Sequence, residues 1–291
     1  MHKYRLGLIG YPLGHSLSPI LHHAALEVCQ LYGEYRLYPI PPQEKNQLLE
    51  LIVQLRNDKL DGLNITIPYK QQMLALVDIL SSSAQAVGAI NTIYRKDGIL
   101  VGENTDAPGF WNDLQRLGWH EKKSSSQALI IGSGGSARAV TYVLAKNGWR
   151  VILAARHTNE AKKITSEIIS AVSKSSGSIQ VITLDANGLR SVPECDLIVN
   201  ATPVGMIPDS DISPWPGGVP FPQNACVYDL VYNPTTTLLM RQGVQAGLRV
   251  TNGLGMLIEQ AALAFTQWTG LVVNPELMRK AVETHLESEK A

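Results

Sequence analysis

The segment that most restricts the fold is a glycine-rich turn between an apolar strand and an amphipathic helix. The strand ALII at 128–131 is followed by GSGGSA at 132–137 and then by RAVTYVLAKNG. Through Gly132, Gly134 and Ala137, the turn satisfies G-x-G-x-x-G/A, a pattern typical of dinucleotide-binding βα turns. Glycine lets the backbone approach a pyrophosphate, which lies on free N–H groups at the start of the helix. We predict a dinucleotide site here, the alternative being an ordinary tight turn.

Strands and helices alternate on both sides of this turn. Before it, the apolar strands RLGLIG, EYRLYPI and LDGLNIT alternate with helical segments near 19–30 and 43–55, and the hairpin pattern AINTIYR-KDG-ILVGENT follows. The polar run at 120–127 separates that series from the second one. Alternation of this kind is typical of parallel βαβ units, and 291 residues suffice for two domains. We predict a two-domain α/β protein. The periodicity from 254 onward adds two helices without indicating where they dock.

Composition argues against several classes of function. The sequence carries 25 basic and 25 acidic side chains, so no net charge attracts nucleic acid or an anionic membrane. Cys29, Cys195 and Cys226 lie in apolar sequence without metal-ligand spacing, so we expect reduced core thiols and no metal site. No apolar run reaches the ~18 residues that span a bilayer, and the first strand leaves no room for a cleavable signal. We expect a cytoplasmic protein that acts on small molecules, without a nucleic-acid or membrane partner.

The end of the second strand after the turn indicates which dinucleotide binds. Enzymes that use NAD normally place a carboxylate there for the ribose 2′-hydroxyl, whereas a cation accepts the 2′-phosphate of NADP. The strand VILAAR ends in Arg156, and no carboxylate follows at once. A guanidinium can grip a phosphate through two parallel hydrogen bonds. We predict NADP as the cofactor, the alternative being a solvated arginine in a loop.

Lys70 stands where a lysine is unexpected. It follows the strand and proline of NITIPYK and opens a helical pattern, KQQMLALVDIL. A cation at a helix N-terminus is disfavoured by the macrodipole, so a carboxylate beside it would be stabilising. Asp106 in GENTDAPGF follows another strand, with Thr105 as a candidate helix N-cap. Asp106 is either that partner or a favourable charge at a helix start.

Other polar side chains interrupt apolar patterns. Gln260 lies on the apolar stripe of LGMLIEQAALAF, where a buried amide needs hydrogen-bond partners. Ser16 and Ser18 either cap the following helix or donate hydroxyls to a carboxylate. His22 and its neighbour His23 are interpreted as packing or surface residues.

Eight motifs in order carry a family resemblance over nearly the whole chain. They are GYPLGHSLSP, NITIPYK, GAINT, GENTDAPGF, IGSGGSARA, NATPVGM, VYDLVYNPT and GLGMLIEQAALAF. Together they closely resemble the shikimate dehydrogenase family. The resemblance implies NADPH-dependent, reversible reduction of 3-dehydroshikimate to shikimate in aromatic amino-acid (chorismate) biosynthesis. It also implies an N-terminal α/β substrate domain at 1–106, completed by C-terminal helices at 254–291, and an NADP-binding Rossmann-type domain at 107–253.

The same resemblance assigns roles to individual residues. It implies that Lys70 and Asp106 are catalytic. The implied substrate contacts are Ser16, Ser18, Asn64, Thr66, Asn91, Asp106, Tyr232 and Gln260, and the implied cofactor contacts are Gly132, Ser133, Gly134, Gly135, Ser136, Ala137, Arg156, Thr202, Leu230 and Gly253.

The sequence departs from the family pattern at one cofactor position, and two alternative functions remain. The family usually has a second cation after Asn-Arg-Thr, and here Glu160 stands at that place, which weakens the preference for NADP over NAD. A quinate/shikimate dehydrogenase, often NAD-linked, shares this architecture, and Arg156 and the serine pair argue against it. A nucleotide-sensing regulator without turnover is opposed by the retention of Lys70 and Asp106. The sequence leaves monomer and homodimer open.

Overall fold

The computed structural model describes residues 2–121, 126–172, 177–192 and 194–288. It divides the chain into two compact units, Met1–Gly109 with Leu257–Ala291, and Phe110–Met256. These bounds lie a few residues from the expected domain boundaries. Residues 122–125 of the expected surface loop at 120–127 lie outside the described residues.

The first unit is built on a mixed sheet with the strand order β2-β1-β3-β5-β6-β4. Its first three strands are parallel, as the βαβ pattern predicts, and β5 and β6 form an antiparallel hairpin. Asp97 and Gly98 turn that hairpin with φ of 51° and 79°, which an Asp-Gly pair accommodates. In chain order the elements are β1 (Tyr4–Gly10), α1 (Ser18–Val28), β2 (Gly33–Pro39), α2 (Lys45–Arg56), β3 (Gly62–Ile65), a 3-10 helix (Gln72–Leu76), β4 (Ile79–Leu80), α3 (Ser82–Val87), β5 (Thr92–Lys96), β6 (Ile99–Glu103) and α4 (Asp106–Arg116).

The long helix expected from Lys70 does not form, and that prediction is wrong. Only the five-residue 3-10 helix at Gln72–Leu76 occurs, and Val77 is already extended at φ −105° and ψ 159°. Asp78 then accepts a hydrogen bond from Leu100 N at 2.8 Å, and β4 pairs with β6. Strand pairing therefore overrides the helical pattern, and Lys70 lies in a turn before a helix too short to carry a large dipole.

The second unit is a parallel sheet of the dinucleotide-binding type. Its strand order is β12-β11-β10-β7-β8-β9, with every strand pair parallel. Read from β9, this is the doubly wound order of a Rossmann fold, whose switch point lies between β7 and β10. The elements are β7 (Gln127–Ile131), α5 (Gly135–Lys146), β8 (Arg150–Ala155), α6 (Thr158–Ala171), β9 (Ile179–Thr183), α7 (Ala186–Arg190), β10 (Leu197–Asn200), β11 (Cys226–Asp229), α8 (Leu238–Gln245) and β12 (Arg249–Asn252).

The two tail helices are α9 (Leu254–Thr269) and α10 (Pro275–Ser288), and the part of the chain from Leu257 onward belongs to the first unit. Trp268 Nε1 donates to Ile93 O at 3.0 Å, across the bare backbone of Gly62. A Cβ on Gly62 would lie 2.1 Å from the indole, so this glycine is needed for the contact. α10 packs on α1. These contacts dock the tail on the sheet of the first unit.

Each unit has its own apolar core. In the first, Ile9, Leu63 and Ile93 from neighbouring strands are fully buried or nearly so. In the second, Ile131 and Ile198 are buried between the sheet and its helices. The strands alternate or run apolar because one or both faces of each sheet are covered.

The cysteines are free thiols, as expected, but only two of them lie in the core. Cys195 and Cys226 are buried, whereas Cys29 is half-buried where α1 ends. Among the described residues, no helix is long and apolar enough to cross a membrane, and no group of His, Cys, Asp and Glu could hold a metal ion.

Candidate active site

An ion pair between half-buried Lys70 and buried Asp106 forms the centre of the first unit's polar cluster. Lys70 Nζ lies 2.6 Å from Asp106 Oδ2, and the two side chains are 12% and 6% exposed. Lys70 follows β3 through a turn closed by Tyr69, whose hydroxyl donates to Ile40 O at 2.6 Å. Asp106 is the first residue of α4. Two segments far apart in the sequence thus place an ammonium against a carboxylate, and the partner that the sequence required for Lys70 is Asp106.

Asn104, and not Thr105, supplies the side-chain cap at the start of α4. Asn104 Oδ1 accepts a hydrogen bond from Ala107 N at 3.0 Å. The Thr105 hydroxyl instead accepts from Asn91 Nδ2 at 2.9 Å. The expected N-cap was misplaced by one residue because the Asn91 amide competes for the Thr105 hydroxyl.

Asn91 connects the ion pair to the helix that carries Gln260. Its Nδ2 atom donates to Asp106 Oδ1 at 2.9 Å and lies 3.1 Å from Gln260 Oε1. Its Oδ1 atom accepts from Thr105 N at 2.7 Å. Gly109 lets α4 approach α9, because a Cβ there would lie 2.8 Å from the backbone N of Gln260. The cluster is therefore a connected network in which each carboxylate oxygen of Asp106 accepts a different donor.

Asn64 is buried and its amide is already bonded to the protein. Its Oδ1 accepts from the Tyr35 hydroxyl at 2.8 Å, while its Nδ2 donates to Asn91 O and to Thr92 Oγ1, both at 3.1 Å. Thr66, just past the end of β3, is half-buried, with its N–H bonded to Ile9 O at 2.8 Å.

The serine pair lies at the start of α1. Ser18, the first helical residue, is buried, and Ser16 Oγ accepts its N–H at 3.3 Å. The N-cap residue of α1 is Leu17, which has no side-chain cap, so neither serine is the N-cap of this helix. His22, on the same helix, is fully buried and stacks on Tyr35 at a ring distance of 4.3 Å. Burial lowers the pKa of His22 to about 3, so it is a neutral packing residue, as interpreted from the sequence.

The glycine-rich turn of the second unit has the backbone geometry that its pattern predicts. Gly132 has φ of +119°, and a Cβ there would lie 2.9 Å from Thr202 Cγ2 and 3.1 Å from Ala201 O. Gly134 precedes α5 without any side-chain cap, and a Cβ on it would meet nothing within 4 Å. The space beside Gly134 at the start of α5 is therefore open, which suits a pyrophosphate at a helix N-terminus. Ser133, Gly135 and Ser136 are partly exposed along this turn, and Ala137 is buried.

Arg156 is exposed directly after β8, the strand next to the glycine-rich turn. His157 follows at the N-cap position of α6 without a side-chain cap, and Glu160 lies in the first turn of that helix. The basic side chain thus stands at the position where an adenosine ribose carries its 2′ substituent in this fold. Together, the open turn and this arginine fit an NADP molecule.

The remaining predicted cofactor residues lie at the ends of β10, β11 and β12. Thr202 Oγ1 donates to Asn200 Oδ1 at 2.7 Å. Gly253 lies so close to Leu230 that a Cβ there would be 2.1 Å from the Leu230 carbonyl oxygen. Tyr232 is half-buried in the loop after β11.

Asn200 and Asp229, which were not among the predicted site residues, are fully buried polar residues that end β10 and β11. Their side chains bond each other, with Asn200 Nδ2 donating to Asp229 Oδ1 at 2.8 Å. A polar residue directly at the end of an apolar strand was the available signal in NAT and YDLV.

The fold and the two sites define a class: a two-unit α/β oxidoreductase with a Rossmann-type NADP-binding unit. Comparison with known proteins then specifies the family. A family model described as the shikimate dehydrogenase substrate binding domain matches residues 8–93, and one described as the shikimate 5′-dehydrogenase C-terminal domain matches residues 253–283. The shikimate dehydrogenase (NADP(+)) of Methanopyrus kandleri is 36% identical over 283 residues, which are 97% of this chain and 95% of that protein.

Solved structures agree with that assignment. Shikimate 5-dehydrogenase from Thermus thermophilus, in complex with NADP(H) and shikimate, has a TM-score of 0.83 at 36% identity and covers 97% of this chain and 99% of its own. The enzyme from Listeria monocytogenes, in complex with shikimate and NAD, has a TM-score of 0.84 at 30% identity. The match covers 97% of this chain and 96% of that one. The chain belongs to the shikimate dehydrogenase family, and the predicted fold class and cofactor are confirmed.

Proposed function

We propose that this chain catalyses the reversible, NADPH-dependent reduction of 3-dehydroshikimate to shikimate. The observation that carries the proposal is the 2.6 Å contact between Lys70 Nζ and Asp106 Oδ2 inside a buried polar network. A carbonyl reduction needs a hydride and a proton, and a half-buried ammonium held by a carboxylate is a suitable proton donor. The product belongs to aromatic amino-acid biosynthesis, in agreement with the family.

In the proposed mechanism, Lys70 transfers a proton to the C3 oxygen of the substrate as the carbonyl is reduced. Bound NADPH supplies the hydride. Before the transfer, the Lys70 ammonium stabilises the negative charge that develops on that oxygen. Asp106 keeps the ammonium oriented through its Oδ2 atom while Asn91 holds its Oδ1 atom. After the transfer Lys70 is neutral, and it regains a proton from solvent.

The proposed substrate contacts divide by chemistry. The Ser16 and Ser18 hydroxyls are assigned to the substrate carboxylate, since hydroxyls at a helix start can donate to an anion. Tyr232, in the second unit, is proposed as a further substrate contact. The substrate hydroxyl groups are assigned to the amide and hydroxyl side chains of the network and its surroundings. An analogue lacking one of those hydroxyls would leave a buried polar group unpaired and bind weakly. That second set comprises Asn64, Thr66, Asn91, Asp106 and Gln260.

Asn64 can only accept a hydrogen bond from the substrate, because both of its amide hydrogens are already bonded to the protein. Its two amide hydrogens and its oxygen already bond Asn91, Thr92 and Tyr35. A carbonyl oxygen has two lone pairs, so Asn64 Oδ1 can still accept one hydroxyl proton. We therefore assign Asn64 the role of an acceptor for a substrate hydroxyl.

The proposed cofactor contacts are the glycine-rich turn for the pyrophosphate and Arg156 for the 2′-phosphate. Thr202, Leu230 and Gly253 complete the set near the nicotinamide. Glu160, in the first turn of α6, places a negative charge near the proposed 2′-phosphate site. Some NADH-linked activity is expected for that reason.

One assay distinguishes this function from its two rivals. The absorbance of reduced nicotinamide is followed with shikimate or quinate, each with NADP or NAD. The proposal expects the highest kcat/KM for shikimate with NADP. A preference for quinate with NAD would identify the catabolic rival, and tight NADPH binding without turnover would identify the regulator.

We further propose a cytoplasmic location and a monomer or homodimer without nucleic-acid or membrane partners. The balanced charge of the chain and the small-molecule site support this assignment. Light scattering on the purified protein measures the mass, for which 31.7 kDa corresponds to one chain.

A further inference from the structure

We propose that Asp229 is a positioning residue for NADPH: its buried carboxylate holds the loops at the ends of β10 and β11 in the conformation that binds the cofactor. The inference rests on the proposed function, because it concerns the same cofactor site. It goes beyond it, because Asp229 itself need not contact the cofactor.

Three donors from three segments converge on the Asp229 carboxylate. Asn200 Nδ2, at the end of β10, donates to Oδ1 at 2.8 Å, and the backbone N–H of Val231 donates to the same oxygen at 3.0 Å. The Thr237 hydroxyl donates to Oδ2 at 2.6 Å. Thr237 also caps α8 by accepting Met240 N at 3.2 Å. One side chain thus ties together β10, the loop after β11 and the start of α8.

The first branch leads to the glycine-rich turn. Asn200, oriented by Asp229, accepts from Thr202 N at 3.0 Å and from Thr202 Oγ1 at 2.7 Å. The Thr202 methyl group in turn lies against Gly132, where a Cβ would come within 2.9 Å of it. Asp229, Asn200, Thr202 and Gly132 form a continuous chain of contacts across the β10–β7 switch point. This is the part of a doubly wound sheet where the dinucleotide binds.

The second branch leads to the loop that carries Leu230. Its neighbour Val231 is held by Asp229, and Leu230 N donates to Asn200 O at 2.9 Å. The Leu230 carbonyl oxygen then lies 2.1 Å from the Cβ position of Gly253. Two of the proposed cofactor residues are therefore fixed through the same carboxylate.

A carboxylate at this place is costly, which argues for a role. Asp229 is fully buried, and it forms no ion pair with any residue in the described part of the chain. Desolvation raises its pKa to about 6, although all three hydrogen bonds oppose that rise. A buried charge without a cation reduces stability, and such a cost is usually retained where function requires it.

The test compares Asp229→Asn with a matched control, Asp196→Asn. Asp196 lies just before β10, at the amino-terminal ends of the strands of the same sheet. It accepts a hydrogen bond from Gln127 N at 3.0 Å. Asn at 229 has the same shape and retains an oxygen for Asn200 and Val231, but presents an amide to the Thr237 hydroxyl. NADPH is titrated against each variant by fluorescence, which requires no turnover, and thermal unfolding is measured at pH 8.

The proposal expects Asp229→Asn to raise the dissociation constant for NADPH about tenfold. Its melting temperature at pH 8 should equal or exceed that of the wild type, because an unpaired buried charge is removed. The KM for shikimate should change less than the KM for NADPH. Asp196→Asn should leave NADPH binding within about twofold of the wild type. A residue with only a structural role would instead lower the melting temperature and leave NADPH affinity unchanged.

Unchanged NADPH affinity in Asp229→Asn would overturn the proposal, as would an equal weakening in Asp196→Asn. If Asp229→Asn does not fold, Thr237→Val decides, since Thr237 is not a proposed cofactor contact and its hydroxyl donates to Asp229 Oδ2 at 2.6 Å. Loss of that hydroxyl should weaken NADPH binding roughly threefold. Unchanged binding in that variant would also overturn the proposal. A wild-type chain that binds NADPH but does not oxidise shikimate would instead contradict the proposed function.

Discussion

Each unit buries one aspartate close to the carboxyl end of a strand, and the two aspartates are balanced in different ways. Asp106, at the start of α4, is buried and accepts a hydrogen bond from the Lys70 ammonium at 2.6 Å. Asp229, the last residue of β11, is fully buried and accepts neutral donors from Asn200, Val231 and Thr237. The first is half of an ion pair, and the second is a charge without a cation among the residues that the structure describes.

This difference separates two uses of a buried carboxylate. In the first unit, a cation beside Asp106 supplies a proton that can move, so the pair suits acid–base chemistry. In the second unit, the neutral donors around Asp229 come from the end of β10, the loop after β11 and the start of α8, so the carboxylate suits the positioning of these segments. The electrostatic partner of a buried acid, rather than burial itself, indicates whether chemistry or positioning is to be expected.

The largest expected effect is the loss of activity when Lys70, the cation paired with Asp106, is removed. Lys70→Ala should lower kcat by roughly 10³-fold or more, because the proton donor and the stabilising charge are both removed. The KM for shikimate should change little. Steady-state kinetics with saturating NADP measures both quantities.

Lys59→Ala, at an exposed position after α2, serves as the matched control and should retain kcat within about twofold. A Lys70→Ala enzyme with nearly normal kcat would remove Lys70 from the chemistry.

The same Asp→Asn change should have opposite effects on stability in the two units. Asp106→Asn removes the carboxylate beside the half-buried Lys70 ammonium, so the free energy of unfolding should fall by about 3 kcal/mol, with kcat lowered roughly 100-fold. Asp229→Asn should not lower the free energy of unfolding. Urea unfolding of both variants at pH 8 measures the difference. Equal destabilisation of the two would show that the contrast between paired and unpaired carboxylates is not real.

The pH dependence of stability tests the contrast between the two aspartates through Asp229 alone. Because burial raises the pKa of Asp229 from 3.8 to about 6, the folded chain retains a proton in that range which the unfolded chain has lost. The Asp229 contribution to the free energy of unfolding therefore decreases as pH rises from about 4 to 6, and the full cost is present above about pH 6. The stability of Asp229→Asn relative to the wild type should rise over that window by on the order of 3 kcal/mol. A difference independent of pH would contradict the raised pKa.

Arg156 adds a cation of the second unit to the comparison. It is exposed after β8, and no ion pair with it occurs among the residues that the structure describes. Arg156→Ala should raise the KM for NADPH about tenfold and leave the KM for NADH nearly unchanged, because only NADPH carries the 2′-phosphate. Equal increases for the two cofactors would reject the 2′-phosphate assignment. Arg150→Ala, at the opposite end of the same strand, is the control.

The sequence predicts those features that depend on strand ends. Lys70 and Asp106 each follow an apolar strand closely, and their pairing was predicted from an unfavourable helix dipole at Lys70. The pair forms although that long helix does not. The glycine-rich turn was predictable because Gly132 requires a positive φ that few other residues adopt. Gln260 could be singled out because it interrupts an apolar helical stripe.

Other features depend on tertiary competition that local patterns do not contain. The segment after Lys70 has a helical pattern, but β4 forms there because Asp78 bonds Leu100 and pairs the chain with β6. Thr105 was predicted as an N-cap, but its hydroxyl accepts a hydrogen bond from Asn91, which directly precedes β5. The role inferred for Asp229 could not be read from YDLV, because its donors come from residues that the fold alone brings together.

The most direct test of the central claim is the kcat of the Lys70→Ala/Asp106→Asn double variant relative to the two single variants. If the two side chains act as one unit, the double variant should have nearly the kcat of Lys70→Ala alone, since Asp106 has no ammonium left to orient. If the two losses multiply instead, Lys70 and Asp106 act independently, and the ion pair is not the catalytic unit of this enzyme.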